Sequence, residues 1–314
     1  MENINNFQVD RNLDPKSQNK KIVNFIDDFL GQEKINILLT RLSNMYNIPK
    51  KVFYQDLRLV IFSNYRNSIG KFLPTFSFFK IFSTFFTYIV FLFWINIFSK
   101  NKIKKKANKF DLIIDDVDHK DILYRFKPFA KKFNSHIFIT TFDQINESLY
   151  RWNNYKGLNK NFSNFKSYQI IKLILTATKF SITSRTNLLI LIFMLYRKIV
   201  KYEDIFSEIQ SKYLIQERHF MSSSLRNFIF KKNNGEKTIL FQRNIAQLNG
   251  PEMFSCADLF FSMGKKSHLQ YLECGCDFKK IFPVGSFFLN SLKLQKENLA
   301  QVPKFDLLHI ASNM

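Results

Sequence analysis

Five places along the chain carry residue types that act on phosphates or hydroxyls. Asp115, Asp116 and Asp118 close the stretch FDLIIDDVD, directly after an apolar run. A carboxylate at a strand end can take a proton from a hydroxyl or hold a divalent cation. Such aspartates equally cap the first turn of a following helix. Asp116 is the candidate base. Gln242 and Arg243 end the run TILFQ, and Arg218 follows KYLIQ. A guanidinium there can clasp a phosphate through two parallel hydrogen bonds, or simply sit solvated on a loop. Gly264 stands between DLFFS and a helical stretch ending near Gly275, where first-turn N–H groups would meet an anion. Gly285 closes the last apolar run in the same manner. His119 and His268 stand alone and fit surface or capping roles. No P-loop, dinucleotide fingerprint, zinc-protease helix or nucleophile elbow is written here. Cys256, Cys274 and Cys276 are too few for a disulfide framework, and the last two are one residue too close for a CxxC pair. Reduced, structural thiols suit a cytoplasmic setting.

These candidates need strands to end at them. Short runs rich in β-branched and aromatic residues predict strands at 111–115, 136–140, 212–216, 238–242, 258–262 and 281–284. Helical patterns lie between them: through Leu123, Phe126, Phe129 and Ala130, through Ile170, Leu173 and Ile174, over Leu188 to Leu195, at 222–231, and from Gly264 to Gly275. Short strands alternating with helices predict an α/β fold with a parallel sheet, whose ligands bind at the carboxyl ends of the strands. Ahead of this region, Ile22 to Leu30 and Ile35 to Met45 read as helices. The expected organisation is a helical region at 1–70, an apolar helix with a lysine cluster at 71–109, and a Rossmann-like domain at 110–302.

Residues 72–98 read FLPTFSFFKIFSTFFTYIVFLFWINIF, and from Ile81 to Phe98 no charge interrupts them. Lys104, Lys105 and Lys106 follow within KNKIKKKANK. A stretch of this length approaches the roughly 30 Å hydrocarbon thickness of a bilayer. Ile81, Phe91, Trp94 and Phe98 are then the lipid-facing candidates, with the lysines on the phosphates. Basic residues on both flanks conflict with a simple single span. A tilted spanning helix, an in-plane or re-entrant helix held against anionic lipid, and a buried Phe-rich core helix all remain open.

At 314 residues, 46% hydrophobic and 17% aromatic, the chain is too apolar to be disordered. Its formal net charge of +22 points to a polyanionic partner, although Lys, Asn, Ile and Phe together are also the habit of an AT-rich genome. Nucleic acid is not expected, because no binding motif is present and such a role would leave residues 72–98 unexplained.

Residues 238–288 read TILFQRNIAQLNGPEMFSCADLFFSMGKKSHLQYLECGCDFKKIFPVGSFF. The stretches Leu240–Arg243, Ala257–Gly264 and Gly275–Ser286 resemble bacterial surface-carbohydrate and capsule biosynthesis proteins of the GT-B glycosyltransferase type. The similarity reaches from residue 110 to the end of the chain. It departs from the family pattern at Asn244, where a glycine is usual. It implies the N-terminal, acceptor-binding half of a GT-B fold, no resident metal or other cofactor, and a lipid-linked or polymeric carbohydrate acceptor. Under this resemblance Arg243, Gln242, Gly264, Gly285 and Arg218 contact substrate or phosphate. Residues 303–314 then read as a linker into a second domain, which a separate chain would have to supply, so that the isolated chain is expected not to turn over a nucleotide sugar. The expectation is a membrane-associated, glycosyltransferase-like protein at the cytoplasmic face of a bacterial inner membrane. The alternative is a non-catalytic, membrane-bound carbohydrate-binding or assembly subunit.

Overall fold

A computed structural model describes residues 14–67, 73, 76–99, 108–117, 126, 132–133, 135–139, 151–154, 167–216, 222–242, 251–273 and 276–285. Seven strands build one parallel sheet: β1 (Asn108–Val117), β2 (Ser135–Ile139), β3 (Arg151–Asn154), β4 (Ile209–Gln216), β5 (Lys237–Phe241), β6 (Cys256–Ser262) and β7 (Asp277–Pro283). Their order is β3-β2-β1-β4-β5-β6-β7. The chain lays down β1 to β3 in one direction, returns to the other side of β1, and then steps outward from β4 to β7. That reversal defines a doubly wound, Rossmann-like sheet with its switch point between β1 and β4. Central strands of such a sheet must be apolar on both faces. Accordingly Leu112, Ile113 and Ile114 are consecutive and buried in β1, and Ile113 pairs with the equally buried Leu214 of β4.

Among the described residues, the helices that accompany the sheet include α1 (Pro15–Gly31), α2 (Glu33–Tyr46), α3 (Lys50–Asn67), α4 (Phe78–Ser99), α5 (Ser167–Ser184), α6 (Leu188–Glu208), α7 (Ser224–Lys232) and α8 (Lys265–Glu273). Local chemistry sets several of their ends. Asn47 takes the left-handed conformation after α2 (φ 52°) and returns its N–H to the Ser43 carbonyl. The Asn187 side chain accepts from the Ile190 N–H at the start of α6, and Ser223 accepts from the Arg226 N–H at the start of α7.

One continuous apolar core joins α1 through α7 to β1 and β4, while a smaller cluster of Leu240, Ala257, Phe260 and Tyr271 joins β5, β6 and α8. Helix α6 lies at the centre of the larger core, with Leu195, Tyr196, Ile199 and Val200 fully buried. The buried Asp56 carboxylate of α3 accepts from Lys198 of α6 at 2.5 Å and from Ser223 at the α7 cap at 2.5 Å. Burial alone would lower the Lys198 pKa, but Asp56 overrides it and raises the value, keeping the ammonium charged.

The α/β class and the parallel sheet agree with the sequence pattern, and all six apolar runs lie in parallel strands. Three features differ from it. β3 has the sequence RWNN, with no apolar run to reveal it. α3 carries Lys, Arg and a buried Asp among its core residues, which hides its periodicity. Helices α1 to α3 share the central core with α5 to α7, so within residues 14–67 there is no core separate from that of the sheet region. The pattern read through Leu123 to Ala130 and the linker reading of 303–314 lie outside the described residues.

Candidate functional site

Two regions carry the candidate residues: the carboxyl edge of the sheet and the face of α4. At the switch point β1 ends in Asp115, Asp116 and Val117, and Asp115 pairs with Gln216, the last residue of β4. Against β2 the register slips, since Ile114 pairs with Ile137 but Val117 pairs with Ile139. Three steps on β1 therefore match two on β2, a bulge that falls on Asp115 and Asp116. Bulges re-aim side chains at strand ends, and this one stands at the switch point where doubly wound sheets bind ligands. Gln216 is buried, donates to Asn227 at 2.6 Å and accepts from Arg226, so α7 supplies a buried cation directly behind the end of β4.

Further along the same edge, Gln242 has a supporting role. Its buried amide oxygen accepts from the Met263 N–H at 2.7 Å, and its amide nitrogen donates to Ser267 at 3.3 Å. It thereby ties the end of β5 to the turn Met263–Gly264 and to the first turn of α8, which begins with Lys265 and Lys266. A side chain at Gly264 would meet nothing within 4 Å, so the turn opens onto free space. Gly285 follows β7 with φ +89°, a conformation that favours glycine. Asp258, in the middle of β6, is a buried charge with complete partners. Burial would raise its pKa, but hydrogen bonds from Lys231, from the Thr238 N–H and from Lys279 outweigh that and lower it to about 2. Cys256 is buried beside Ser222, and burial pushes its thiol up to about 11, away from nucleophilic use. Among the described residues, no three His, Cys, Asp or Glu side chains gather as a metal site. The structure thus brings Asp116, Gln242, Gly264 and Gly285 to the ends of β1, β5, β6 and β7. Arg218, Arg243 and the lysines 104–106 lie outside the described residues, as does the side chain of Asp116.

Helix α4 divides into three sides. At roughly 100° per residue, Ile81, Tyr88 and Leu92 share one side with the half-buried Phe85. All four belong to or pack on the central core. The Tyr88 ring stacks on Tyr196 of α6 at 5.4 Å, and Phe91 meets Phe193 and Tyr196 edge-on at 5.7 and 6.1 Å. A second side is exposed and polar, with Lys80, Ser83 and Thr87. The third is exposed and wholly apolar: Phe79 is 82% exposed, Phe82 75%, Phe86 69% and Phe93 67%, with Phe78, Ile89 and Val90 also open. It covers an arc of about 120° at 100° per residue. The neighbouring α5 adds exposed Ile171, Leu175 and Ile182.

This packing corrects two expectations. Ile81 and Phe91, expected to face lipid, turn inward because α6 offers an aromatic groove to that side of the helix. The lipid-facing candidates become Phe79, Phe82, Phe86 and Phe93, which sequence reading missed because phenylalanine lies on both sides of α4. The polar trio Lys80, Ser83 and Thr87 was the one available signal of the helix's division. Among the described residues no helix is long and apolar enough to cross a membrane. The side chains of Trp94 and Phe98 lie outside the described set.

Set against protein-family models, curated proteins and solved structures, the chain matches none.

Proposed function

We propose that the chain is a membrane-docked, glycosyltransferase-like protein that lies in the plane of the bilayer through α4 and acts on a carbohydrate acceptor at the carboxyl edge of its sheet. The observation that carries the proposal is the open apolar arc of Phe79, Phe82, Phe86 and Phe93 beside the packed arc of Tyr88 and Leu92. Large exposed apolar patches mark interaction surfaces. A helix already packed along one side, and apolar toward solvent on another, suits the interface between headgroups and acyl chains. The lysine run at 100–109 favours an anionic, cytoplasmic leaflet.

The transferase part rests on the likeness of 238–288 to surface-carbohydrate biosynthesis proteins, and the Rossmann-like strand order supports that reading. In this reading a lipid-linked or polymeric acceptor reaches the bulge at Asp116, which accepts the proton of the attacking hydroxyl. Arg243 and the Gly264 turn hold phosphate oxygens, and the site uses no metal.

Co-sedimentation with vesicles tests the docking. The parent chain should pellet with them, and the triple variant F79S/F82S/F86S should stay in the supernatant with an unchanged far-ultraviolet spectrum. Equal pelleting of a folded triple variant would overturn it. Native membranes carrying the chain should incorporate labelled sugar from a nucleotide sugar into a lipid-linked acceptor, whereas the same membranes with Arg243→Ala in its place should not. Equal incorporation would overturn the transferase part.

A further inference from the structure

Beside the exposed stripe of α5, a cleft of about 270 Å³ opens between α2 and α5, lined by Arg41, Asn44, Met45, Gln169, Lys172 and Leu173. Its chemistry is one-sided. Two cations and two side-chain amides surround an apolar floor of Met45 and Leu173, and no carboxylate is among the described lining residues. Arg41 is held in place by donating to Thr176 of α5 at 2.6 Å, which turns its guanidinium across the cleft toward α5. Gln169 belongs to the first turn of α5, where backbone N–H groups and the helix dipole add positive potential. On the α5 surface Lys172 directly follows exposed Ile171 and lies one turn from exposed Leu175. A cationic cleft therefore opens next to an apolar stripe.

We infer that this α2–α5 cleft binds the phosphate-bearing headgroup of an anionic membrane lipid, with the acyl chains of that lipid lying along Ile171 and Leu175. The inference rests on the docking of α4 and goes beyond it, since that face alone requires no particular headgroup. Arg41 and Lys172 contact the phosphate oxygens, Asn44 and Gln169 accept or donate at the polar ester and alcohol groups, and Met45 and Leu173 pack beneath the glycerol carbons.

The test uses the full chain and three single variants. Lys172→Gln and Arg41→Gln remove a charge inside the cleft. Lys179→Gln removes an exposed charge from the same helix, two turns further on and outside the cleft. Binding to phosphatidylglycerol vesicles should weaken on the order of thirty-fold for Lys172→Gln and Arg41→Gln, but only about five-fold for Lys179→Gln, as any surface lysine near a membrane would. Phosphatidylcholine vesicles, read for each variant against the parent on the same lipid, should show no such split. Equal losses for Lys172→Gln and Lys179→Gln on phosphatidylglycerol would overturn the cleft and leave the α4 docking intact. A parent chain that binds neither vesicle overturns both. In that event, chemical-shift changes with glycerol phosphate that vanish in Lys172→Gln would assign the cleft to a soluble phosphate compound instead of a lipid.

Discussion

Helices α4 and α6 touch along Tyr88, Phe91, Phe193 and Tyr196, and both are aromatic and apolar, yet they meet the rest of the molecule differently. α6 is surrounded: twelve of its residues are buried, and its Lys198 pairs with the buried Asp56. α4 is packed along one side only. Its polar residues do not occupy the remaining surface evenly but gather at Lys80, Ser83 and Thr87, leaving the arc between them and the core to phenylalanine. Apolarity by itself therefore separates neither helix from the other. The placement of the few polar residues does, because a helix meant for a core puts them toward water, and a helix meant for an interface leaves one side without any.

The sharpest way to break this contrast is to truncate one ring on each helix. Tyr196→Ala, within the α6 core, should cost about 3–5 kcal/mol of stability in urea unfolding, because it leaves a cavity among Tyr46, Tyr88 and Phe91. Truncation of an open α4 ring should leave the same unfolding curve within about 0.5 kcal/mol. If both cost equally, α4 is a core helix whose open side is covered.

Charge burial offers a second lever, since the packed region holds the buried, ionised Asp258 carboxylate and the open arc of α4 holds none. Asp258 has a folded-state pKa lowered to about 2, below its ordinary value of 3.8. Its contribution is complete above the unfolded value and is lost as pH falls from about 4 toward 2, where the folded carboxylate also protonates. Allowing for the partial exposure of Lys231 and Lys279, that contribution is about 1–2 kcal/mol. Asp258→Asn should remove it at neutral pH and flatten the acid limb of the stability profile. An unchanged acid limb would show that the two lysines do not hold the charge.

On the open side, Phe82→Ser should weaken vesicle binding about ten-fold, the worth of one partly inserted ring. Its unfolding midpoint should not move. A shift in the midpoint without a shift in binding would place Phe82 in a core.

How much of this was legible depends on where the information resides. The strands at β1, β2, β4, β5, β6 and β7 could be read because each buried run is continuous and rich in β-branched or aromatic residues. β3 could not, because RWNN takes its place through pairing with β2 alone. α3 was obscured by Asp56, a polar residue in a core position whose partner, Lys198, lies 142 residues away. The end of β1 was recognisable as an acidic strand end, whereas the bulge that falls on Asp115 and Asp116 depends on pairing with β2. The role of Gln242 was missed for a similar reason, because its partners Met263 and Ser267 belong to a turn on the next strand. In α4 the length and apolarity were plain, but phenylalanine fills both the packed and the open side, so only contact with α6 distinguishes Ile81 and Phe91 from Phe79 and Phe82.

The smallest expected effect tests the third side of α4. Lys80 is exposed, one position from the open Phe79, one turn from the polar Ser83 and two turns from Thr87. If the helix lies in the membrane plane with Phe79, Phe82 and Phe86 downward, Lys80 sits at the height of the headgroups and its ammonium faces lipid phosphate. A lysine in that position contributes about 1 kcal/mol toward an anionic surface and almost nothing toward a neutral one. Lys80→Gln should therefore weaken binding about five-fold on anionic vesicles at low salt, and not on phosphatidylcholine. The difference should shrink as the Debye length falls to about 3 Å near 1 M salt. Folding stability should be unchanged, because the side chain is exposed. Were the helix tilted into a core or bound to another protein face, the effect would not depend on lipid charge, and equal loss on both vesicle types would exclude the in-plane orientation.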